Sequence, residues 1–195
     1  MQRIGVAPRP GKSATSIQRG GEEFLPIYVL CHVSRSSLEA AADWGSLQSP
    51  ENYIGLERTE HFASPGGAAL HKRRMYAAPA PLRRNHWALA GEWTVEHQAV
   101  VLHEAHGRIT YCFHARDLHL VMGPAARGTA VRFRVRIDGK PPGAAHGIDI
   151  DDQGHGTVAE QRRYQLIRQP QPIADRQFAI AFLDAGVEAF AFTFG

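Results

Sequence analysis

From Arg84 onward apolar and polar residues alternate with a period of two, and this pattern constrains the fold more than any other feature. Trp87 and Leu89 flank Ala88; Ile109, Tyr111 and Phe113 flank Thr110 and Cys112; Leu118, Leu120 and Met122 follow Asp117. Val131, Phe133, Val135 and Ile137 alternate with Arg132, Arg134 and Arg136, and Phe178, Ile180 and Phe182 precede a final Phe190, Phe192 and Phe194. Successive side chains of a strand point to opposite faces, so each set predicts a strand with one face on a core and one in water. Turn residues separate the sets at Gly91, Gly107, Gly123-Pro124, Asp138-Gly139, Gly154, Gly156 and Ala185-Gly186. Short strands punctuated in this way predict an all-β fold, an antiparallel β-sandwich of jelly-roll-like type. No helix of about ten or more residues is expected after position 85.

The chain divides into an N-terminal tail over 1–41 and a sandwich domain over 42–195. The tail is rich in Gly, Ser, Pro and Arg up to Gly21, with at most one short strand or helical turn near Ile27 to Leu30. Between 43 and 81 the anchors Trp44, Tyr53, Ile54 and Leu56 and the turn Ser64-Pro65-Gly66-Gly67 predict irregular segments with one or two strands. The chain has 195 residues, 44% of them hydrophobic, which suits one core plus a tail. The apolar run FLPIYVLC at 24–31 is shorter than the roughly 18–20 residues of a membrane span and contains Pro26. Glu22 and Glu23 precede it, so it is a poor export signal despite Arg3, Arg9, Lys12 and Arg19 upstream.

Cys31 and Cys112 are the two cysteines, so the chain has no C-x-x-C and they are expected to be free, half-buried thiols. The net charge of +3 is mild. Lys72, Arg73, Arg74, Arg83 and Arg84, with the stripe Arg132, Arg134 and Arg136, lack an aromatic platform beside them. They read as solvated faces, and no nucleic-acid partner is expected. G-x-S-x-G, the P-loop and the dinucleotide fingerprint are missing, and no carboxylate pair stands out.

Two patterns bear on metals. Asp149, Asp151, Gln153 and Glu160 fall at positions 1, 3, 5 and 12 of a calcium loop, with Gly154 at the turn. The flanks are strand-like rather than helical, and a polar hairpin turn explains the same residues. Among the eleven histidines, His103 and His106 form H-x-x-H without the zinc-protease glutamate, and His114 and His119 flank a predicted hairpin turn. A small metal-dependent hydrolase is the enzymatic alternative; no cofactor is otherwise expected.

Trp44, Tyr53, Tyr76, Trp87, Trp93, Tyr111 and Tyr164 each join a flat ring to a polar group, and on a sandwich exposed rings can stack on sugar faces. Taken singly each is a core residue by type. Trp87, Trp93, His146, Tyr164 and Arg168 are the candidate ligand-binding surface, His146 lying in a loop where function concentrates.

The motifs SPENYIGLER (49–58), FASPGG (62–67), WALAGEWTV (87–95), FHARDLHLV (113–121), PGAAHG (142–147), YQLIRQ (164–169) and FAFTFG (190–195) occur in order. Together they resemble the C-terminal segment of DipZ-type thioredoxin-like proteins, the cytochrome c biogenesis or redoxin family. The resemblance implies a sandwich like a carbohydrate-binding module, placed after a redox thioredoxin domain, and a periplasmic or otherwise extracytoplasmic setting. It implies a non-catalytic accessory module that binds carbohydrate or an envelope component. The alternative is a docking or dimerisation domain for a separate thioredoxin-fold partner.

Overall fold

The computed structural model describes residues 43–195, and the expectations for the tail, the export signal and Cys31 lie outside them. Among the described residues eleven strands run in chain order: β1 Asn52–Tyr53, β2 Arg73–Tyr76, β3 Trp87–Val95, β4 Val100–Leu102, β5 Arg108–Phe113, β6 Asp117–Pro124, β7 Val131–Ile137, β8 His155–Val158, β9 Arg162–Arg168, β10 Arg176–Phe182 and β11 Val187–Phe194. One 3-10 turn, Gly143–Ala145, is the helical element among the described residues. None of their helices is long and apolar enough to cross a membrane.

The strands pair antiparallel in the order β8-β7-β10-β5-β3-β4-β11-β6-β9, with β1 on β11 and β2 on β3. The path folds into two layers at β3. Residues 87–90 pair with β5 in the first sheet, whereas 93–95 pair with β4 in the second. After β4 the chain passes between layers at nearly every connection, which is the jelly-roll habit.

Gly91 lies inside β3, not at a turn as its residue type predicts. Its φ of +97° suits glycine, and an added Cβ would sit 2.9 Å from the Gly107 Cα. The bend at Gly91 re-aims one strand from the first sheet to the second, much as a bulge does. A second correction concerns His114 and His119. The β5–β6 connection is a corner between sheets and not a hairpin, since β5 pairs with β10 and β3 whereas β6 pairs with β11 and β9.

The predicted inward faces form the core except at the start of β11, where a register shift between Ala189 and Ala191 turns Val187 and Ala189 inward and leaves Phe190 half-buried. Trp87, Leu89, Ile109, Tyr111, Phe113, Phe133, Phe178, Phe182 and Phe192 are all buried. Rings meet across the layers: Tyr111 and Phe192 at 4.9 Å, Phe178 and Phe192 at 5.9 Å, Phe133 and Tyr164 at 6.5 Å between centroids. Each fully buried large side chain contributes about 1.5–3 kcal/mol through area removed from water. β7 shows the expected alternation, its four apolar residues buried and Arg132 and Arg136 exposed.

After β2, which pairs in the second sheet, residues 78–82 cross part of the outer face of the first sheet. Leu82, Ala88 and Cys112 pack together with Ala63 and Ala78, and Gln177 Nε2 donates to the Leu82 carbonyl at 2.8 Å. Cys112 is therefore buried, not half-buried, and burial pushes its thiol pKa up. On the second sheet, residues 146–149 lie along the outer edge of β9. Gly147 N–H donates to the Leu166 carbonyl at 2.9 Å and Asp149 N–H to the Gln165 carbonyl at 3.3 Å. This loop blocks a strand edge that would otherwise be open to pairing.

Candidate functional site

The polar cleft in front of β1 begins with a two-residue strand. Asn52 and Tyr53 pair with Phe192 and Ala191 of β11, which faces Asn52 inward and Tyr53 toward solvent. Gly55 then presses the chain onto the β3–β4 turn, where an added Cβ would lie 2.3 Å from the Gln98 carbonyl carbon. Leu56 N–H donates to the Glu96 carbonyl at 2.9 Å and Glu57 N–H to the His97 carbonyl at 3.0 Å, fixing that approach. The chain next doubles back, so that Arg58 and Glu60 return beside Tyr53.

The cleft has a volume of about 430 Å³ and is lined by Pro50, Glu51, Asn52, Tyr53, Arg58 and Glu60. The Arg58 guanidinium lies 3.9 Å from the centroid of the Tyr53 ring, a cation–π contact. Beneath it, Asn52 Nδ2 donates to the Glu60 carbonyl and to the Tyr111 hydroxyl, both at 3.4 Å. The Trp87 indole N–H donates to the Glu60 carbonyl at 3.0 Å and to Thr59 Oγ1 at 3.1 Å. The outer wall thus offers two carboxylates, a guanidinium and part of a ring, while buried residues hold the backbone beneath. Such groups accept from and donate to hydroxyls.

Tyr111 forms part of that support. Burial is the main cause that pushes its pKa up to about 12, opposed by the Asn52 hydrogen bond. A folded pKa above the unfolded value near 10 means the native state holds its proton longer. The associated stability is full below about pH 10 and is lost as pH rises toward 12. Denaturant titrations should show stability falling across that window by up to about 1.4 kcal/mol per pH unit, and Tyr111→Phe should flatten the slope. An unchanged slope in the variant would assign the alkaline transition to other groups.

The five residues singled out in the sequence do not share a surface. Trp87 and Tyr164 are 1% exposed and Trp93 is 0% exposed. Their polar groups are satisfied internally. Trp93 N–H donates to the Ala90 carbonyl at 2.9 Å, and the Tyr164 hydroxyl to the Glu160 carbonyl at 2.8 Å. As ring platforms these three are corrected to core residues, although Trp87 supports the cleft from below. His146 and Arg168 do lie close together, because His146 bridges to Ile167 on the edge of β9. His146 is exposed, with Nδ1 2.8 Å from the Gly143 carbonyl. Arg168 Nε donates at 2.7 Å to Asp117, a buried carboxylate that Arg116 also clamps, so it serves the joint between β6 and β9.

The calcium-loop candidates are used within the fold. Asp149 accepts from Arg162 at 2.6 Å and from the Gln165 amide at 2.7 Å, leaving neither oxygen unpaired. Asp151 accepts from the His155 amide at 2.7 Å, and Glu160 pairs with Arg162 at 3.3 Å. Gln153 lies in the turn before β8. The loop is a polar hairpin between β7 and β8 with added irregular chain. His103 Nε2 lies 2.6 Å from Thr94 Oγ1, and His114 Nδ1 lies 2.6 Å from Asp175. His119 is on the second sheet opposite Thr193. Among the described residues no three His, Cys, Asp or Glu side chains converge as a metal site requires.

The family model described as the thioredoxin-like C-terminal domain matches residues 49–195, from the start of the cleft to the last residue of the chain. The chain belongs to that family. Its curated relatives include Protein DipZ of Mycobacterium bovis (strain ATCC BAA-935 / AF2122/97) and of Mycobacterium tuberculosis (strain CDC 1551 / Oshkosh). Each is 27% identical over 147 residues, covering 75% of this chain and 18% of the relative. This member of the family therefore spans less than a fifth of the length of those relatives. Among solved structures, the C-terminal CBM6 of LamC, a laminarinase from Zobellia galactanivorans, aligns at a TM-score of 0.29 with 15% identity, covering 53% of this chain and 78% of that one. The sandwich assignment rests on the strand pairing above. The cleft residues missed as a site, Glu51, Asn52, Tyr53, Arg58 and Glu60, lie in or directly after the first motif, SPENYIGLER, which was their available signal.

Proposed function

We propose that this thioredoxin-like C-terminal domain is a non-catalytic accessory module that binds carbohydrate, or a polyhydroxylated envelope component, in the cleft in front of β1. The observation that carries the reading is the Arg58 guanidinium against the Tyr53 ring in a cleft that Glu51 and Glu60 also line, above a buried support. Carboxylate and guanidinium groups hydrogen-bond to hydroxyls, and a ring edge adds apolar contact with sugar C–H groups. A cleft that sets a guanidinium against an aromatic ring, with carboxylates on its wall, suits recognition of a polar ligand.

The test is retention on polysaccharide gels and a glycan array carrying peptidoglycan fragments, mannan and common oligosaccharides. A positive glycan should bind about tenfold or more weakly to Glu60→Gln, since a charge-assisted hydrogen bond is worth about 1.5–3 kcal/mol. Tyr53→Ala should lose a similar amount. Flat responses across the array would remove the glycan reading, and selective pull-down of a thioredoxin-fold protein would then favour docking.

A further inference from the structure

Across the open part of the first sheet's outer face, β5, β10 and β7 bring together residues far apart in sequence. Ala181 on β10 pairs with Arg108 on one side and Arg134 on the other; Ala179 pairs with Thr110 and Arg136. Their neighbours Ile109, Val135, Ile180 and Phe182 are buried, so the alternation turns Arg108, Arg134, Ala179 and Ala181 outward. Strands lie about 4.8 Å apart, which sets the two arginine Cα atoms about 9.6 Å apart across a methyl floor. The cover provided by Ala63, Ala78 and Leu82 lies over Ala88 and Cys112, and Ala90, Ala179 and Ala181 beyond it are part-exposed.

The charges here are not balanced as those nearby are. Arg132 binds Asp184 through its Nε at 2.9 Å and Nη2 at 2.8 Å, and Arg176 binds Asp138 at 2.6 Å. Arg108 and Arg134 have no carboxylate partner among the described residues, and Arg134 Nε is buried without any hydrogen-bond partner. Arg134 is half-buried, so its charge is partly desolvated, and an oxyanion beside its accessible part would offset that cost. Arg136, whose Nη1 donates to the Gly139 carbonyl at 2.7 Å, places a further positive charge one step along the same face.

We propose that this face is an anion site, with a phosphate group held between Arg108 and Arg134 above Ala181. Guanidinium forks match tetrahedral oxyanions, and two forks over small residues admit one without steric conflict. The site uses other strands than the β1 cleft and stands whether or not that cleft binds carbohydrate. With Ala and Thr as its floor it offers no ring for base stacking, so the ligand class is inorganic phosphate or a phosphate-bearing chain without nucleobases.

Backbone-amide NMR of the full chain, titrated at constant ionic strength with inorganic phosphate and separately with short-chain polyphosphate, tests this. The expected result is saturable shifts at residues 108–110, 134–136 and 179–181 that vanish in the double variant Arg108→Gln/Arg134→Gln. Arg108→Gln alone, at an exposed position, should weaken binding about tenfold, and Arg132→Gln should leave it unchanged. Polyphosphate binding tenfold or more tightly would identify a chain as the ligand, and equal affinity a single phosphate group. Absent shifts, shifts spread over all surface arginines, or shifts that survive in the double variant would overturn the proposal.

Discussion

Trp87→Ala is expected to destabilise the domain by about 3–5 kcal/mol, the usual cost of deleting a large buried ring. For a domain of this size that corresponds to a fall in Tm of roughly 6–20 °C. Trp87 is 1% exposed and packs against Phe62 at 4.7 Å between centroids. The same change removes the indole donor that holds Thr59 and Glu60, so the cleft should loosen as well. Trp87→Phe separates these effects. It keeps most of the ring volume and should cost about 1–3 kcal/mol, the range for leaving a buried acceptor without its donor. A Trp87→Ala protein with wild-type Tm would contradict the placement of this ring in the core and restore it as a surface platform.

Gly91→Val should be comparably damaging, for a backbone reason. At a φ of +97° a β-branched residue is strongly disfavoured, and the added Cβ meets the Gly107 Cα at 2.9 Å. Strain of about 1–3 kcal/mol and a packing conflict of similar size predict a loss of about 2–6 kcal/mol. Gly128→Ala is the control, since Gly128 also has a positive φ, +76°, but open space around it. Chemical denaturation should therefore rank Gly91→Val well below Gly128→Ala. Equal losses would mean that the close approach of β3 to Gly107 contributes nothing.

The long strands were readable because their inward faces are unbroken: Val131 to Ile137 and Phe178 to Phe182 alternate without interruption. β4, with only three residues, is too short to display a period. β9 loses its register at a shift between Leu118 and His119 on its partner β6. Gly91 misled because a glycine between apolar sets usually ends a strand, whereas here it bends one that serves both sheets. The site was less legible than the fold. Residue type predicts that a tryptophan or tyrosine has a polar group to satisfy, but not whether the partner is a ligand or the protein. Trp93 finds the Ala90 carbonyl and Tyr164 finds the Glu160 carbonyl, and both rings disappear from the surface. The cleft depends on Asn52 meeting Tyr111, 59 positions away, a contact that only the folded sheets create. The arginine pair is similar: the stripe on β7 was visible, but its facing partner Arg108 emerges only from the register of β10.

On the proposed function, recognition falls to the cleft at Glu51 to Glu60 and not to the buried rings. Titrating the full chain with mannan oligosaccharides and soluble peptidoglycan fragments, while following backbone amides and indole N–H signals by NMR, addresses it most directly. Saturable shifts are expected in residues 50–60 with a smaller response at the Trp87 indole N–H, and both should be lost in Tyr53→Ala. Shifts centred on the His146 and Arg168 edge, or none with any of these sugars, would contradict it.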